Sequence, residues 1–334
     1  MALTHSVSEV KKLDNGVDKI MKIWTMGEIL VEIMRPEPDI PLGKIGEPFL
    51  GPYPSGAPAI FADTVARLGH QSGIIGGVGD DEFGHSTINR LNHNGVDTRL
   101  VKFVSGESTA VAFVAYDSAG DRNFIYHIGN TPAALAVCPD EKDVAAPAPA
   151  FFHIMGCSLM ADEVFCEEIN KAAALFHKMG AKISFDPNIR QELLRGRSLN
   201  ELIAPIMRHC YILQPGYQEL CAISGKDNAE DAVKVLFENP SLEIIALKLG
   251  ADGCRIFTRT NEFSFNVYDI KPVDPTGAGD SFDAGMLCGL LDGMSPFDAA
   301  KHASAAAALN TAAFGPMEGD ISPESVKRLK NSGS

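Results

Sequence analysis

The chain has 334 residues, 45% of them hydrophobic, and a formal net charge of −14 at pH 7. A chain of this length and composition can bury a substantial core, so disordered and fibrous classes are excluded. The acidic balance and the lack of a long Lys/Arg run argue against a nucleic-acid partner, because binding a phosphate backbone needs a positive surface.

The seven cysteines are scattered and form no CxxC pair. This pattern favours reduced thiols over a disulfide framework, a zinc site or a redox motif. Residues 1–21 contain charges throughout, unlike a signal peptide, and no apolar run is long enough to span a bilayer. We therefore predict a cytoplasmic protein with no membrane partner, in which residues 1–21 form an N-terminal extension.

Hydrophobic periodicity and glycine or proline punctuation predict a mixture of strands and helices in the first half of the chain. In order these are a strand from residue 23 that continues past a bend at Gly27 to residue 34, a helix at 58–68, a buried strand at 73–78, a helix ending at Gly95, and a β-hairpin at 109–116 and 123–128 around a turn at 117–121. Asp80 or Asp81 is predicted to cap the second helix. The hairpin and the stretch after Gly27 are predicted to form a small antiparallel sheet.

From residue 151 onwards, strands and helices alternate regularly. Strands are predicted at 151–155, 182–185, 211–213 and 244–249, and helices at 163–179, 199–207 and 229–237. This order predicts a mostly parallel sheet with helices on both faces, in which ligands bind beyond the carboxyl ends of the strands. An alanine-rich last helix at 296–313 permits close packing against its neighbour.

The strongest chemical signal is the sequence VDPTGAGDSF at residues 273–282. It follows a strand-like alternation at 263–268 and opens a helical pattern, so we predict a strand-to-helix turn. Gly277 and Gly279 leave backbone N–H groups bare at a helix N-terminus, where the helix dipole attracts a phosphate. Asp280 lies in the first turn and can accept a proton from a substrate hydroxyl. A glycine-rich turn with an acidic residue is also a common structural device, so the motif alone leaves both interpretations open.

Together with Ala284 and Gly285, the segment at 274–282 resembles the C-terminal signature of the ribokinase-like (PfkB) carbohydrate kinases. Two further segments resemble motifs of that family, the glycine-rich loop and helix start at 54–62 and the sequence DPNIR at 186–190. The resemblance covers the chain from about Ile23 to its end. It implies ATP-dependent phosphorylation of a sugar hydroxyl, with ATP and Mg²⁺ as cofactors. Neither a P-loop motif nor a protein-kinase HRD/DFG set is present, which excludes those two kinase classes.

The resemblance also implies the fold class and the domain organisation. It implies a doubly wound, mostly parallel α/β domain over residues 22–330, with a small β-sheet lid formed by about 28–50 and 105–130. In the family this lid covers the sugar and often forms a dimer interface. We therefore predict a homodimer that assembles through the lid.

Individual site residues follow from the same resemblance. The anion hole falls on Gly277, Ala278 and Gly279, and the base on Asp280. Substrate contacts fall on Glu32, Gly56, Ala57, Tyr126, His127, Asn188, Arg190 and Asp280. Nucleotide contacts fall on Lys248, Gly250, Gly253, Gly277, Gly279 and Gly315, the last in a loop predicted to border the adenine. Glu219 would hold Mg²⁺ through water, and Asp274 would bind a monovalent cation such as K⁺ behind the anion hole.

Two positions depart from the family pattern. Ile60 replaces an asparagine of the N-terminal signature, and Gly216 replaces the asparagine of an NxxE motif. These departures keep two alternatives open. A nucleoside kinase of the same superfamily would have a more apolar pocket, to which Ile60 and Phe61 are suited. An inactive kinase-like sensor or scaffold would tolerate both changes, but it would not need a base at Asp280.

The substrate is predicted from a missing cation. Relatives that phosphorylate 2-keto-3-deoxygluconate place an arginine shortly after the lid tyrosine to pair with the substrate carboxylate, whereas Tyr126 and His127 are followed here by Ile128. A carboxylate facing Ile128 would lose a charge-assisted hydrogen bond of roughly 1.5–3 kcal/mol. We therefore predict a neutral ketohexose, tagatose- or fructose-like, phosphorylated at its 6-hydroxyl. The 1-hydroxyl is the second choice, and 2-keto-3-deoxygluconate is the alternative substrate.

Overall fold

A computed structural model describes residues 21–118, 122–194 and 196–332. The predicted N-terminal extension before Met21 and residues 119–121 of the predicted hairpin turn lie outside the described residues. Strands and helices are numbered in chain order.

Within the described residues, nine strands form the larger sheet: β1 Met21–Met26, β4 Gln71–Gly79, β5 Asp97–Val104, β8 Ala148–Met155, β9 Lys182–Asp186, β10 Cys210–Leu213, β11 Ile244–Lys248, β12 Cys254–Thr258 and β13 Glu262–Phe265. Their spatial order is β13-β12-β11-β10-β9-β8-β1-β4-β5. Neighbours from β11 to β5 pair in parallel, while β12 and β13 are antiparallel additions at one edge. The predicted mostly parallel sheet is confirmed, although the strand predicted up to residue 268 ends at Phe265.

The described helices are α1 Ala57–Arg67, α2 Glu82–His93, α3 Glu141–Val144, α4 Gly156–Ala161, α5 Glu163–Lys178, α6 Gln191–Leu194, α7 Leu199–Met207, α8 Tyr217–Ser224, α9 Ala229–Leu236, α10 Ala278–Leu291, α11 Pro296–Thr311 and α12 Pro323–Ser332. Helices α5, α7 and α9 pack on one face of the larger sheet, and α1, α10 and α11 pack on the other. Alternation along β1 serves both layers, because Trp24 packs with the first group and Ile23 with the second. The doubly wound α/β class is therefore confirmed. Asp81 caps α2 as predicted, since its side chain accepts the Gly84 N–H at 2.8 Å.

In the described part of the chain, a smaller sheet of four strands lies apart from the larger one: β2 Leu30–Met34, β3 Leu50–Ser55, β6 Ala110–Tyr116 and β7 Arg122–His127. Their order is β3-β2-β6-β7. The β6–β7 pair is antiparallel, as predicted, and β2 pairs in an antiparallel way with β3, which was not predicted, but β2 and β6 are parallel. The all-antiparallel prediction is wrong for that pair because no hairpin joins β2 to β6; the chain between them passes through the larger sheet as β4 and β5.

Close packing between α10 and α11 fixes the position of the α10 N-terminus. A Cβ on Gly285 would come within 2.7 Å of the Ala303 Cα, and one on Gly289 within 2.9 Å of the Ala299 Cα. Small residues on both helices therefore let the two backbones approach, as the alanine-rich sequence predicted. None of the helices in the described part of the chain is both long and apolar enough to cross a membrane.

Candidate active site

The N-terminus of α10 lies between two cavities. Gly277 is the N-cap residue, with a φ of 76°, and a Cβ there would come within 2.5 Å of a backbone oxygen, so both conformation and space require glycine. Gly277 and Asp280 line cavity 1 on one side of the turn. Ala278 and Gly279 line cavity 2 on the other side. A group bound at the N–H groups of this turn would be within reach of both cavities.

Cavity 1 lies between the small sheet and the carboxyl end of the larger sheet. It brings together seven of the eight predicted substrate residues: Glu32, Gly56, Ala57, Tyr126, Asn188, Arg190 and Asp280. His127 is the exception, because it is exposed on the outer face of β7, with its ring 6.3 Å from that of Phe113. The prediction that Tyr126 and His127 both face the substrate is wrong, since adjacent residues of a strand point to opposite faces.

Strand β7 and the residue after it line cavity 1 with alternate side chains: Arg122, Phe124, Tyr126 and Ile128. The sequence analysis missed Arg122 and Phe124, although strict alternation from Tyr126 would have found both. The guanidinium groups of Arg122 and Arg190 each lie 5.8 Å from the centre of the Phe124 ring. Ile128 faces the cavity as expected, but the cavity does not lack cations. The argument from a missing cation is therefore wrong.

Asp280 is only 8% exposed. Its pKa is raised to about 7, because burial and the charge of Asp186 raise it more than the cations Lys248 and Arg190 lower it. The Asp280 Oδ1 atom lies 3.4 Å from Nδ2 of Asn188, which can donate a hydrogen bond to it. A carboxylate that titrates near neutral pH is well matched to accept a proton from a hydroxyl group.

Two further buried carboxylates line cavity 1. Glu28, which was not predicted, accepts hydrogen bonds from Cys157 Sγ at 3.1 Å and from the Ser158 hydroxyl. Burial raises the pKa of Glu28, and it raises the pKa of Glu32 to about 7. The Glu32 Oε2 atom has no hydrogen-bond partner among the described residues. A buried acceptor of this kind is open to a hydroxyl group of a ligand.

Cavity 2 has a volume of about 420 Å³, which is within the range of small-molecule sites. Four of the predicted nucleotide residues line it: Lys248, Gly250, Gly253 and Gly279. Much of the remaining wall is apolar, including Val267, Tyr268, Ile270, Phe282, Ala307 and Ala308. The cavity thus combines an apolar wall with a cation and a helix N-terminus, which suits a flat ring that carries phosphate groups.

Gly315 does not line cavity 2. Its N–H donates a hydrogen bond to Asp274 Oδ2 at 2.8 Å, and a Cβ on it would touch the Tyr53 ring at 3.0 Å. The loop after α11 therefore folds toward the small sheet. This geometry does not support the predicted nucleotide contact of Gly315, which stays a prediction.

Asp274 is buried, and protein donors occupy both of its carboxylate oxygens. Oδ1 accepts hydrogen bonds from Thr276 N at 2.9 Å, Thr276 Oγ1 at 2.6 Å and Tyr116 Oη at 3.2 Å, while Oδ2 accepts the Gly315 N–H. These bonds anchor the turn that precedes α10. Three of the four donors fall on Oδ1, whereas Oδ2 keeps a lone pair, so the predicted site for a monovalent cation stays a prediction.

Glu219 lies in the first turn of α8 and binds two backbone N–H groups. Oε2 accepts from Gly216 N at 2.7 Å, and Oε1 accepts from Ile189 N at 2.8 Å. Each oxygen keeps a lone pair, and the side chain lines a third cavity together with Lys248 and Arg190. Because Mg²⁺ usually keeps several waters and takes few protein ligands, Glu219 fits a metal ion held through water.

Lys248 contacts two carboxylate side chains near the turn. Its Nζ atom lies 2.9 Å from Asp186 Oδ2 and 3.0 Å from each carboxylate oxygen of Asp283. Burial lowers the pKa of Lys248, but the two carboxylates outweigh it and raise that pKa above its ordinary value. A Cβ on Gly279 would lie 3.7 Å from this ammonium group. The sequence analysis named neither Asp186 nor Asp283 as a site residue.

The chain matches known proteins at the level of family and of individual relatives. The family model of the pfkB family carbohydrate kinases matches residues 22–322. Fructokinase-1 of Zea mays is 31% identical over 304 residues, which cover 88% of this chain and 93% of the relative.

Solved structures match over nearly the whole chain. A chain from E. coli assigned as ribokinase II, in complex with ATP and Mg²⁺, is 35% identical with a TM-score of 0.86, and the match covers 93% of this chain and 99% of that chain. A double-mutant fructokinase from Vibrio cholerae O395, in a form with fructose, ADP and a potassium ion bound, is 25% identical with a TM-score of 0.80. That match covers 94% of this chain and 99% of the other.

Proposed function

The chain belongs to the pfkB family of carbohydrate kinases, and from that premise we propose that it transfers the γ-phosphate of ATP to a primary hydroxyl of a neutral ketohexose. One observation carries the proposal. The N-terminus of α10 has Asp280 in cavity 1 and Gly279 in cavity 2. A sugar in the first cavity and a nucleotide in the second would meet at the N–H groups of this turn.

The proposed chemistry is a direct phosphoryl transfer. Asp280 accepts the proton of the sugar hydroxyl. The hydroxyl oxygen of the sugar forms a bond to the γ-phosphorus of ATP while the bond between that phosphorus and the bridging oxygen of ADP breaks. The N–H groups of Gly277, Ala278 and Gly279, together with the helix dipole, stabilise the charge on the transferring group. Since the pKa of Asp280 is about 7, the base is largely protonated well below pH 7 and ionised above it.

We place the nucleotide in cavity 2, with its base against the apolar wall and its phosphates toward Lys248 and the turn. Lys248 then supplies a positive charge beside the phosphates in a protein whose net charge is −14. Glu219 would hold Mg²⁺ through water, and the ion would neutralise part of the phosphate charge. A K⁺ ion bound through the remaining lone pair of Asp274 Oδ2 stays part of the proposal.

The walls of cavity 1 favour a neutral polyol. Glu28, Glu32 and Asp280 are buried acceptors to which sugar hydroxyls can donate. Their ionised forms would repel a substrate carboxylate, but Arg122 and Arg190 in the same wall would attract it, so the choice of a neutral sugar rests on the hydroxyl acceptors and on the relatives. The fructokinase relatives support the same substrate class. A nucleoside is a poorer fit to this charged lining, and an inactive scaffold would have no use for the base. We retain the 6-hydroxyl as the acceptor, with the 1-hydroxyl second.

The replacement of Asp280 by Asn tests the assignment of the base. The amide keeps the shape of the side chain but cannot take a proton, so we expect kcat to fall by roughly 10²–10⁴ while nucleotide affinity measured by calorimetry stays nearly unchanged. Asp140→Asn is the matched control, because Asp140 is exposed and pairs only with the exposed Lys142 among the contacts described. Near-wild-type kcat in Asp280→Asn would refute the proposed role of this residue.

The substrate class needs a separate comparison. We expect higher kcat/KM for fructose or tagatose than for 2-keto-3-deoxygluconate or a nucleoside, measured as ADP release under identical conditions. Phosphorus NMR of the product identifies the hydroxyl that is phosphorylated. An acid sugar that outperforms every neutral sugar would overturn the substrate assignment and leave the kinase assignment intact.

The outer face of the small sheet supports the predicted homodimer. Ile125 is 49% exposed there, beside Phe113 and His127, and Phe49 packs edge-on against Phe113 with ring centres 5.8 Å apart. Light scattering of the protein in solution tests this assembly.

All seven cysteines are free thiols, which supports a reducing compartment such as the cytoplasm.

A further inference from the structure

A continuous series of polar contacts joins cavity 2 to Asp280. The Lys248 Nζ atom lies 2.9 Å from Asp186 Oδ2. The Asn188 side-chain nitrogen donates to the same Asp186 oxygen at 3.3 Å and lies 3.4 Å from Asp280 Oδ1. The Asn188 backbone N–H donates to the other oxygen of Asp186 at 3.1 Å. Asp186 therefore binds a cation on the nucleotide side and an amide that reaches the base.

These residues are held by rigid parts of the fold. Asp186 is the last residue of β9, and Lys248 is the last residue of β11. Asn188 has a φ of 38°, a left-handed conformation that asparagine adopts more readily than most residues. Asp186, Asn188 and Asp280 are 2%, 7% and 8% exposed. Charges in such a poorly hydrated site interact more strongly than they would in water.

We propose that Asp186 is a positioning residue that couples the charge state of the nucleotide site to the base. It holds Lys248 beside the phosphate site, and through Asn188 it sets where Asp280 lies and how readily Asp280 accepts a proton. Nucleotide phosphates beside Lys248 offset its positive charge, so Asp280 becomes a stronger proton acceptor when the nucleotide is bound. This inference rests on the proposed role of Asp280 as the base.

The electrostatics of the cluster agree with this geometry. Burial raises the pKa of Asp280, Asp186 raises it further, and Lys248 lowers it. For Asp186, burial acts to raise the pKa, but Lys248 outweighs burial and holds that pKa below its ordinary value, so Asp186 is ionised. Burial raises the pKa of Asp283 well above its ordinary value, and the Lys248 ammonium group beside both of its oxygens opposes that rise.

Other titratable groups also face the cluster. The groups facing Asp280 are Arg122, Arg190, Glu32 and Cys157, and those facing Asp186 or Lys248 are Glu219 and His153. Burial lowers the pKa of His153 to about 3, so its ring is neutral at physiological pH. The variants below leave all of these groups in place.

Paired substitutions of Asp186 and Lys248 test the inference through the pH dependence of kcat/KM for the sugar at saturating ATP. Asp186→Asn removes a negative charge near the base, so we expect the acid limb of the profile to move to lower pH by roughly one unit. Lys248→Met removes a positive charge, so we expect the limb to move to higher pH by a similar amount. General damage to the fold would lower the plateau value of kcat/KM in both variants, but it would not move their acid limbs in opposite directions.

Asp283→Asn is the matched control at the same lysine. Asp283 contacts Lys248, but among the described contacts it reaches neither Asn188 nor Asp280, so we expect a limb shift well below that of Asp186→Asn. Equal shifts in the two variants would overturn the coupling through Asp186, as would shifts of the same sign in Asp186→Asn and Lys248→Met.

A second variant covers the case in which Asp186→Asn does not fold. Asn188→Gly keeps the left-handed backbone and removes only the side-chain amide. We expect kcat to fall at least tenfold while affinity for a non-hydrolysable ATP analogue stays within about twofold. An unchanged kcat would refute the link. Asp280→Asn separates failure of the proposed function from failure of this inference. An active Asp280→Asn variant would refute the role of Asp280 as the base. An inactive Asp280→Asn variant, together with unshifted acid limbs in Asp186→Asn and Lys248→Met, would refute only the coupling.

Discussion

Glu32 is a buried carboxylate whose replacement by Gln should stabilise the protein and weaken sugar binding at once. The side chain lies in β2, the residue is 8% exposed, and its Oε2 atom has no hydrogen-bond partner among the described residues. Burial raises its pKa from 4.5 to about 7, and the charges of Asp274 and Asp280 contribute to that rise. The folded protein therefore holds this charge less favourably than the unfolded chain does.

The pH window follows from the two pKa values. Below about 4.5 the side chain is protonated in both states, so it makes no difference to stability. As pH rises toward 7 the unfolded chain ionises first, and the free energy of unfolding falls by about 1.4 kcal/mol per pH unit. Above pH 7 the loss levels off at about 3 kcal/mol. Glutamine stays neutral, so Glu32→Gln should recover up to that amount at pH 8 and less than about 1 kcal/mol at pH 5.

Thermal and urea unfolding of wild type and Glu32→Gln at pH 5 and pH 8 measure this difference. We expect a higher midpoint for the variant at pH 8 and near-identical midpoints at pH 5. Glu107→Gln is the control, because Glu107 is exposed and its replacement should change neither midpoint. The same variant should raise KM for the sugar roughly tenfold by weakening a charge-assisted acceptor. A gain of equal size at both pH values, or no gain at pH 8, would refute the burial argument.

Two further predictions concern the glycine turn and the small sheet. Gly279→Val should fold with an unchanged unfolding midpoint yet lose phosphoryl transfer, because a Cβ there meets only Lys248 Nζ, at 3.7 Å, and fills the phosphate site. Gly277→Val should instead lower the unfolding midpoint, because residue 277 has a φ of 76° and a Cβ there would lie 2.5 Å from a backbone oxygen. Arg35→Met should make residues 36–49 sensitive to limited proteolysis, because its guanidinium group donates to five backbone carbonyls of that loop; resistance equal to wild type would contradict that role.

The larger sheet could be predicted from the sequence because its central strands are short apolar runs between well-punctuated helices. Three strands were missed, namely β3, β5 and β12, and the first two lack such a pattern. The sequence of β3 contains two prolines, which strands tolerate only at an edge, and β3 is an edge strand of the small sheet. Strand β5 is an edge strand with a largely half-exposed pattern, so its residues do not separate into an apolar and a polar face. These two strands form because they pair with neighbouring strands, and the periodicity of the sequence gives no information about that pairing.

The candidate site was predictable only where a single motif supplies it. Gly277, Gly279 and Asp280 belong to one turn, so their proximity follows from local geometry. Asp186 and Asp283 reach Lys248 from two other elements, and nothing in the sequence pairs a given carboxylate with a given lysine. The position of Gly315 could not be predicted for the same reason, because the direction of its loop depends on a hydrogen bond to Asp274.

The two carboxylates with a pKa near 7 in cavity 1 are connected electrostatically. The charge of Asp280 raises the pKa of Glu32, and because a charge–charge interaction is mutual, ionised Glu32 must also raise the pKa of Asp280. Near neutral pH the pair therefore holds a proton that either residue can carry, and turnover needs Asp280 to be the ionised one. A sugar hydroxyl that donates to Glu32 would favour ionisation of Glu32, and that charge would raise the pKa of Asp280. Substrate binding in cavity 1 and phosphate binding in cavity 2 therefore both raise the pKa of Asp280, so the ionised base accepts a proton more readily when both substrates are present, but a higher pH is needed to ionise it.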